Sequence, residues 1–516
     1  MKAKLRAICH YLEHGLIERS VPVRLSLLSA LSGENLLLLG PPGTAKSELA
    51  RKLHQVFSDV NYFERLLTRF SVPEELFGPL SIKALEDDRY QRLTKSYLPE
   101  ASIAFIDEVF KANSAILNAL LTLLNEREFD NGAERIQTPL ISVIAASNEL
   151  PEDETLDALY DRFLLRYQLD VVSDDGFNAL LDLDTNTAIE PPALLNMAEL
   201  DKLQDNALSI KLTDDARQLV FALRGYVKQQ DIYISDRRWR KIIKLLKVAA
   251  YSNQQSEVNR WDCALILHCC WQLPEQLNNL QQWFIQQLAL DYSADVQRFN
   301  KVLNIWQTKL ADNQNNKIHQ KNAQGQKLYR DDKNQITTNK ESVSLAERDN
   351  EVLYLAPGKQ DDRSNNGKGY TLQELEQQFF DDAMQQTHID GKWMDLQNYV
   401  NNTQNRLVNK IQFEPITEAV VYTADYIEHS VQQLQNLNTD VMALHQYCTE
   451  KNETLVQILT SHLWLDKVIF LSPLDNLKNN MVQLQAINLQ LNDCIEGFKN
   501  LVLEQDAAMP GSTCIY

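Results

Sequence analysis

Short, wholly apolar runs alternate with amphipathic stretches over the first third of the chain, and after that the short runs stop. Leu36–Leu39, Ala104–Ile106, Ile141–Ala145 and Leu165–Leu169 are bounded by polar or turn residues, a pattern that predicts strands buried on both faces. Alternation of this kind up to about Val172 predicts a largely parallel sheet with helices on both faces. Ahead of the first run, Ile8, Leu12, Leu16, Ile17 and Val21 recur at helical spacing between Met1 and about Ser32. From about Ser173 to Gln307 the period is almost entirely helical, as in Trp239, Ile242, Ile243, Leu245, Leu246 and Ala249. The polar, Asn/Gln-rich stretch Lys309–Lys340 reads as a linker or solvated loop. Glu351–Leu355 and Arg406–Phe413 read as strands, and helical stripes return at Ile427, Val431 and Leu434 and again at Leu484, Ile487 and Leu491. The expected organisation is therefore an α/β domain over 1–172, an all-α domain over 173–307, a discontinuous helical domain made of 308–325 and 414–516, and a small β-rich insertion domain at 326–413.

Composition narrows the functional classes. The 516 residues, 44% of them hydrophobic, suffice for two or three cores. A formal net charge of −19 argues against broad attraction to nucleic acid or anionic lipid. No apolar stretch approaches the ~20 residues of a membrane-spanning helix, and Met1–Arg6 leads into no apolar signal region, so a cytoplasmic location is expected. Seven cysteines, scattered and odd in number, fit reduced thiols better than a disulfide framework. Cys263, His268, Cys269 and Cys270 cluster, but their spacing lacks a second metal-ligand pair and favours helix packing.

The chemistry begins directly after the first predicted strand, at Gly40-Pro41-Pro42-Gly43-Thr44-Ala45-Lys46-Ser47. A glycine-rich turn between strand and helix turns backbone N–H groups towards phosphate oxygens; Lys46 can pair with the β- and γ-phosphates, and the Ser47 hydroxyl can hold Mg²⁺. Glu48 opens a helix-favouring stretch whose N-terminus adds positive potential. The last glycine usual in such loops is replaced by Ala45. A second apolar strand ends in Asp107-Glu108, where Asp107 would hold Mg²⁺ and Glu108 would polarise an attacking water. A third ends at Ser147-Asn148, which would bring an amide beside the terminal phosphate. Arg162, in Tyr160-Asp161-Arg162-Phe163, stands where an arginine can reach a neighbouring subunit's phosphate, and Arg237, at a helix start in Ser235-Asp236-Arg237-Arg238, can couple nucleotide state to domain angle.

In their order these elements resemble the AAA+ ATPases, and the loop with Ala45 resembles the MoxR branch, in which alanine at this position is familiar. Thr68–Leu80, Tyr97-Leu98-Pro99-Glu100-Ala101, Asn125-Glu126-Arg127-Glu128-Phe129 and Ser147–Pro151 are similar to the RavA-type regulatory ATPases. The resemblance implies an αβα AAA+ core with an α-helical lid, a homo-hexameric ring with ATP and Mg²⁺ between subunits, and hydrolysis of ATP to ADP and phosphate in chaperone-like remodelling of protein partners. It also implies that Gly40 to Glu48 cradle ATP, and that Asp107, Glu108, Asn148, Arg162 and Arg237 take the Walker B, sensor 1, arginine-finger and sensor 2 roles. Where such proteins place an aromatic residue near adenine, ahead of Glu18-Arg19-Ser20, this chain has Ile17, which keeps apolar contact but not stacking. The implied partner is a von Willebrand factor A-domain protein of the ViaA type. A contact with inducible lysine decarboxylase, made in this group through the insertion domain, does not carry over to the divergent segment 326–413. The alternative reading is a nucleic-acid-stimulated motor, drawn from Arg65, Arg69, Lys83, Arg89, Arg92 and Lys95, though acids are interspersed among them.

Overall fold

A computed structural model describes residues 1–151, 156–183, 192–358 and 362–504, so the last dozen positions of the expected C-terminal helical domain lie outside it. At its centre is a five-stranded parallel sheet ordered β2-β3-β6-β1-β7. The strands are β1 (Leu36–Leu39), β2 (Tyr62–Leu66), β3 (Ile103–Asp107), β6 (Ser142–Ser147) and β7 (Leu165–Gln168); β4 (Glu128–Asn131) and β5 (Glu134–Gln137) form a separate hairpin. Every pairing in the main sheet is parallel, with Leu37 opposite Ala145 on one side and Arg166 on the other. The four apolar runs form four of its strands. The edge strand β2 was not apparent in the pattern, because Tyr62-Phe63-Glu64-Arg65-Leu66 has one covered face and polar side chains that an edge can solvate. The fold is the expected α/β core followed by a helical region.

The N-terminal apolar stripe becomes two helices, α1 (Lys2–Glu13) and α2 (Ser20–Ser32). Gly15 and Glu18 both take positive φ, 76° and 55°, and the reversal between the helices places Ile17, Glu18 and Arg19 in one turn. The helix α3 (Lys46–Gln55) is the next element after β1, across the turn at 40–45. After β7 come the helices Asp174–Leu181, Met197–Leu208, Asp214–Gln229 and Asp236–Ser252. Cys263, Cys269, Cys270 and His268 are buried in this region, within 2% of full burial, in helical segments that pack into the core.

By packing, the chain divides into one unit of Met1–Ala294 with Gln446–Val482 and another of Asp295–His445 with Gln483–Tyr516. This splits the C-terminal segment that periodicity alone keeps together as part of one discontinuous domain. The reason lies in its side chains: Trp464 Nε1 donates to Ser252 Oγ at 2.8 Å, and His462 Nε2 meets Asp262 Oδ1 at 2.8 Å, both inside the first unit. In the second unit, the polar stretch expected to be a linker is structured. The helix Ser293–Asn315 runs into it, and short strands at Lys317–His319, Tyr329–Arg330 and Ile336–Thr337 follow. Its amides find partners, as where Asn313 Nδ2 donates to the Tyr426 hydroxyl at 2.7 Å. A small core of Tyr354, Ala356, Tyr370, Leu375, Phe380, Leu396 and Tyr399 lies within the predicted insertion.

Candidate nucleotide site

The loop Gly40–Ser47 leaves the carboxyl end of β1, the central-sheet position at which α/β folds bind ligands. Gly40 has no alternative there, since a Cβ would run into the Leu169 carbonyl. Gly43, at φ 80°, stands in the left-handed region with open space around it. Ala45 is left-handed too, at φ 64° and ψ 25°, and forms the N-cap of α3. This explains why glycine is usual at that position: an L-residue held there costs about 1 kcal/mol. Pro41, Pro42, Gly43 and Glu48 are exposed, Ser47 is half-buried, and Thr44 is buried with its hydroxyl donating to the Pro41 carbonyl at 2.9 Å. Glu48 lies 3.8 Å from Lys52, on the outer side of α3.

Lys46 is the hub. Its ammonium donates to the Gly40 and Pro41 carbonyls at 2.5 and 3.2 Å and to Asn148 Oδ1 at 3.0 Å. Asn148 Nδ2 in turn donates to Glu108 Oε1 at 2.7 Å, and Lys111 Nζ lies 3.2 Å from the other oxygen of Glu108. The sheet order makes this possible, because β6 lies between β1 and β3 and Asn148, the residue that follows it, therefore falls between the loop and the acids. Asp107 ends β3 half-buried, and its Oδ1 accepts from the Glu108 N–H at 3.0 Å. Glu108 itself is left-handed, at φ 53°. Burial pushes the Lys46 pKa below the ordinary lysine value, opposed by the charges of Asp107 and Glu108.

These residues fit a magnesium triphosphate. A partly desolvated ammonium stands between neutral acceptors that phosphate oxygens can replace, and a hydroxyl and a carboxylate suited to a hard cation lie on the adjoining segments. Ile17 is half-buried in the turn beside the loop, where Arg19 donates to the Thr44 and Asp170 carbonyls at 3.3 and 2.9 Å. Glu18 in the same turn accepts from the Ser173 hydroxyl and, at 2.8 Å, from the Ser173 N–H, and these bonds hold its carboxyl pKa below the usual range.

The two candidate arginines lie close enough for the charge of Arg237 to act on Arg162. Arg162 is half-buried, 3.6 Å from Asp161, with its Nε buried and without a hydrogen-bond partner. Burial, and then the charge of Arg237, lower its pKa. Arg237 is exposed and donates to Asn125 Oδ1. Among the described residues, no hydrogen bond joins either arginine to Lys46, Asn148 or Glu108.

Arg238, the next residue, was not singled out in the sequence. It is 4% exposed, and its guanidinium donates to the Cys269 carbonyl at 2.9 Å, to the Asp161 carbonyl and carboxylate at 3.0 and 3.2 Å, and to the Phe163 and Leu164 carbonyls at 3.1 and 2.9 Å. The helix Asp236–Ser252 thus grips both sides of Arg162. The signal was present: Arg238, Ile242, Leu245 and Ala249 share one helical stripe, so this charge lies on the buried face and Arg237 does not. Arg166, also buried, lies over the Tyr160 ring at 3.7 Å and donates to the Trp271 and Tyr160 carbonyls.

Residues 3–205 match a family profile described as the MoxR domain in MoxR-vWA-beta-propeller ternary systems, and residues 215–284 match an AAA lid domain. Two uncharacterized proteins of Methanocaldococcus jannaschii are 42% and 43% identical to the chain over 262 and 270 residues, which is 50% and 52% of this chain and 69% and 70% of theirs. Among solved structures, a Cytophaga hutchinsonii protein described as a candidate ATPase is 16% identical with a TM-score of 0.45, covering 56% of this chain and 94% of its own.

Proposed function

Because the chain belongs to the MoxR family of AAA+ ATPases, we propose that it hydrolyses ATP to ADP and phosphate in a homo-hexameric ring, in which Arg162 of each subunit completes its neighbour's site. The observation that carries the reading is the hydrogen-bonded line Lys46–Asn148–Glu108 across the carboxyl ends of three adjacent strands. Gly40 to Glu48 would receive the phosphates, and Ile17 would contact the base. Lys46 would exchange its carbonyl partners for phosphate oxygens. Glu108 would accept a proton from the attacking water, and Asn148 would hold that water and the terminal phosphate in register. Ser47 and Asp107 would hold Mg²⁺, whose contribution is to neutralise charge on the β- and γ-phosphates.

Support for a shared site comes from Arg162, which has a buried, unpaired Nε and no bond to its own Lys46. An arginine supplied across an interface contributes ~10³–10⁵ in rate. Arg237 would report nucleotide state to the helical lid. The family description also supports a von Willebrand factor A-domain protein as partner; remodelling of protein clients is the work proposed for the pair. The nucleic-acid reading is weaker, since Arg89 and Arg92 are paired with Asp87 and Glu74 at 2.9 and 3.0 Å.

The test is magnesium-dependent hydrolysis by the full chain. Lys46→Ala and Glu108→Gln are each expected to lower turnover at least ~10²-fold, with ATP binding retained in Glu108→Gln. Arg162→Ala is expected to be inactive alone and to regain activity when mixed with Glu108→Gln. Parent-like hydrolysis in the first two variants refutes the site, and no recovery in the mixture refutes the shared arginine.

A further inference from the structure

On the lid, away from the nucleotide loop in sequence, the helices Asp214–Gln229 and Asp236–Ser252 flank a groove of about 440 Å³. Its floor is apolar, built from Leu212, Val220 and Ile243, with Trp239 and the 65% exposed ring of Phe221 at its sides. Its rim is basic: Arg217, Arg224 and Arg240 line it against a single carboxylate, Asp236, which lies 3.7 Å from Arg224 with both groups open to solvent. Among the described residues Arg217 and Arg240 make no ion pair. In a chain of net charge −19, such a local excess of arginine beside bare aromatic surface is not accounted for by the fold.

We infer that this groove docks an acidic helical segment of a partner protein, one that presents a large apolar side chain to Phe221 and Trp239 and carboxylates to the arginines. The spacing supports a helix as occupant. Arg217, Phe221 and Arg224 occupy one stripe of their own helix, and Arg217 and Arg224 are seven residues apart, about 10 Å at 1.5 Å per residue. Carboxylates at i, i+4 and i+7 of a bound helix span the same length. The guanidinium forks suit carboxylates, and aromatic rings with arginine at a groove are the residue types that anchor interfaces. A polynucleotide fits less well, because its affinity depends on many phosphate contacts and the surrounding chain is strongly acidic.

The experiment uses the full-length protein and a fluorescein-labelled helical peptide with leucine along one face and glutamate at i, i+4 and i+7, read by anisotropy at low and moderate salt. Controls are the same peptide with lysine replacing glutamate and a labelled single-stranded oligonucleotide. The parent is expected to bind the glutamate peptide at least tenfold more tightly than either control. Arg217→Glu with Arg240→Glu is expected to invert the preference towards the lysine peptide while ATP hydrolysis stays at the parent level, and Phe221→Ala is expected to weaken the glutamate peptide about tenfold. The inverted preference and retained hydrolysis together show that the variant is folded. Equal binding of the two peptides, preferential binding of the oligonucleotide, or affinity unchanged by the charge reversal overturns the inference.

Discussion

Replacing Arg238 by lysine keeps the charge and removes the fork. The guanidinium reaches the carbonyls of Cys269, Asp161, Phe163 and Leu164 from one rigid plane. A lysine ammonium has three donors on a flexible stem and cannot reach both sides of Arg162 at once. Phe163 and Leu164 are buried, so their carbonyls would lose partners without gaining water, at about 1–3 kcal/mol each. The Asp161 carboxylate is 43% exposed, so water replaces its bond and it adds little. The expected loss is about 3 kcal/mol, or roughly 4 °C in the melting of a unit as large as the one that contains it. Since Arg162 lies between Asp161 and Phe163, turnover should fall more than ATP affinity, because a loosened arginine weakens the reacting state more than the bound one. Differential scanning calorimetry and steady-state hydrolysis, run on Arg238→Lys and Arg238→Met, test both parts. A melt within 2 °C of the parent refutes the packing argument. A clear loss of stability with unchanged turnover refutes the link between lid and arginine.

Ala45→Gly relieves a left-handed alanine at φ 64° and is expected to stabilise the protein by about 0.5–1 kcal/mol, seen as a higher melting temperature with hydrolysis retained. Asn148→Ala breaks the line between Lys46 and Glu108 and should lower turnover ~10²-fold or more with little change in ATP affinity; Asn148→Asp should do no better, because it removes the N–H that Glu108 accepts. Burial pushes the thiols of Cys263 and Cys269 up to about 12, so unfolded chain releases these protons before native chain does. Stability should therefore fall as pH rises from ~9 towards 12, by about 1.4 kcal/mol per unit per thiol, in denaturant titrations compared with Cys→Ser variants. Both thiols should also resist alkylation until the lid unfolds.

Local features were legible in the residues alone: four strands of the main sheet, because short apolar runs between turns have few other ways to be buried, and the loop Gly40–Ser47, because its chemistry is contiguous. The acids at the end of β3 and the asparagine after β6 were legible for the same reason, each closing an apolar run. Tertiary structure alone decided which of these met. The order β3-β6-β1 brings Asn148 between Lys46 and Glu108, and no spacing along the chain encodes that neighbourhood. It also split the C-terminal helical stripes between two units, since period identifies a buried face without identifying what buries it. Arg238 shows the limit most clearly. Its place on an apolar stripe was visible, but its role depends on carbonyls of residues far away in the chain, at 161–164 and 269, which only folding carries to its guanidinium.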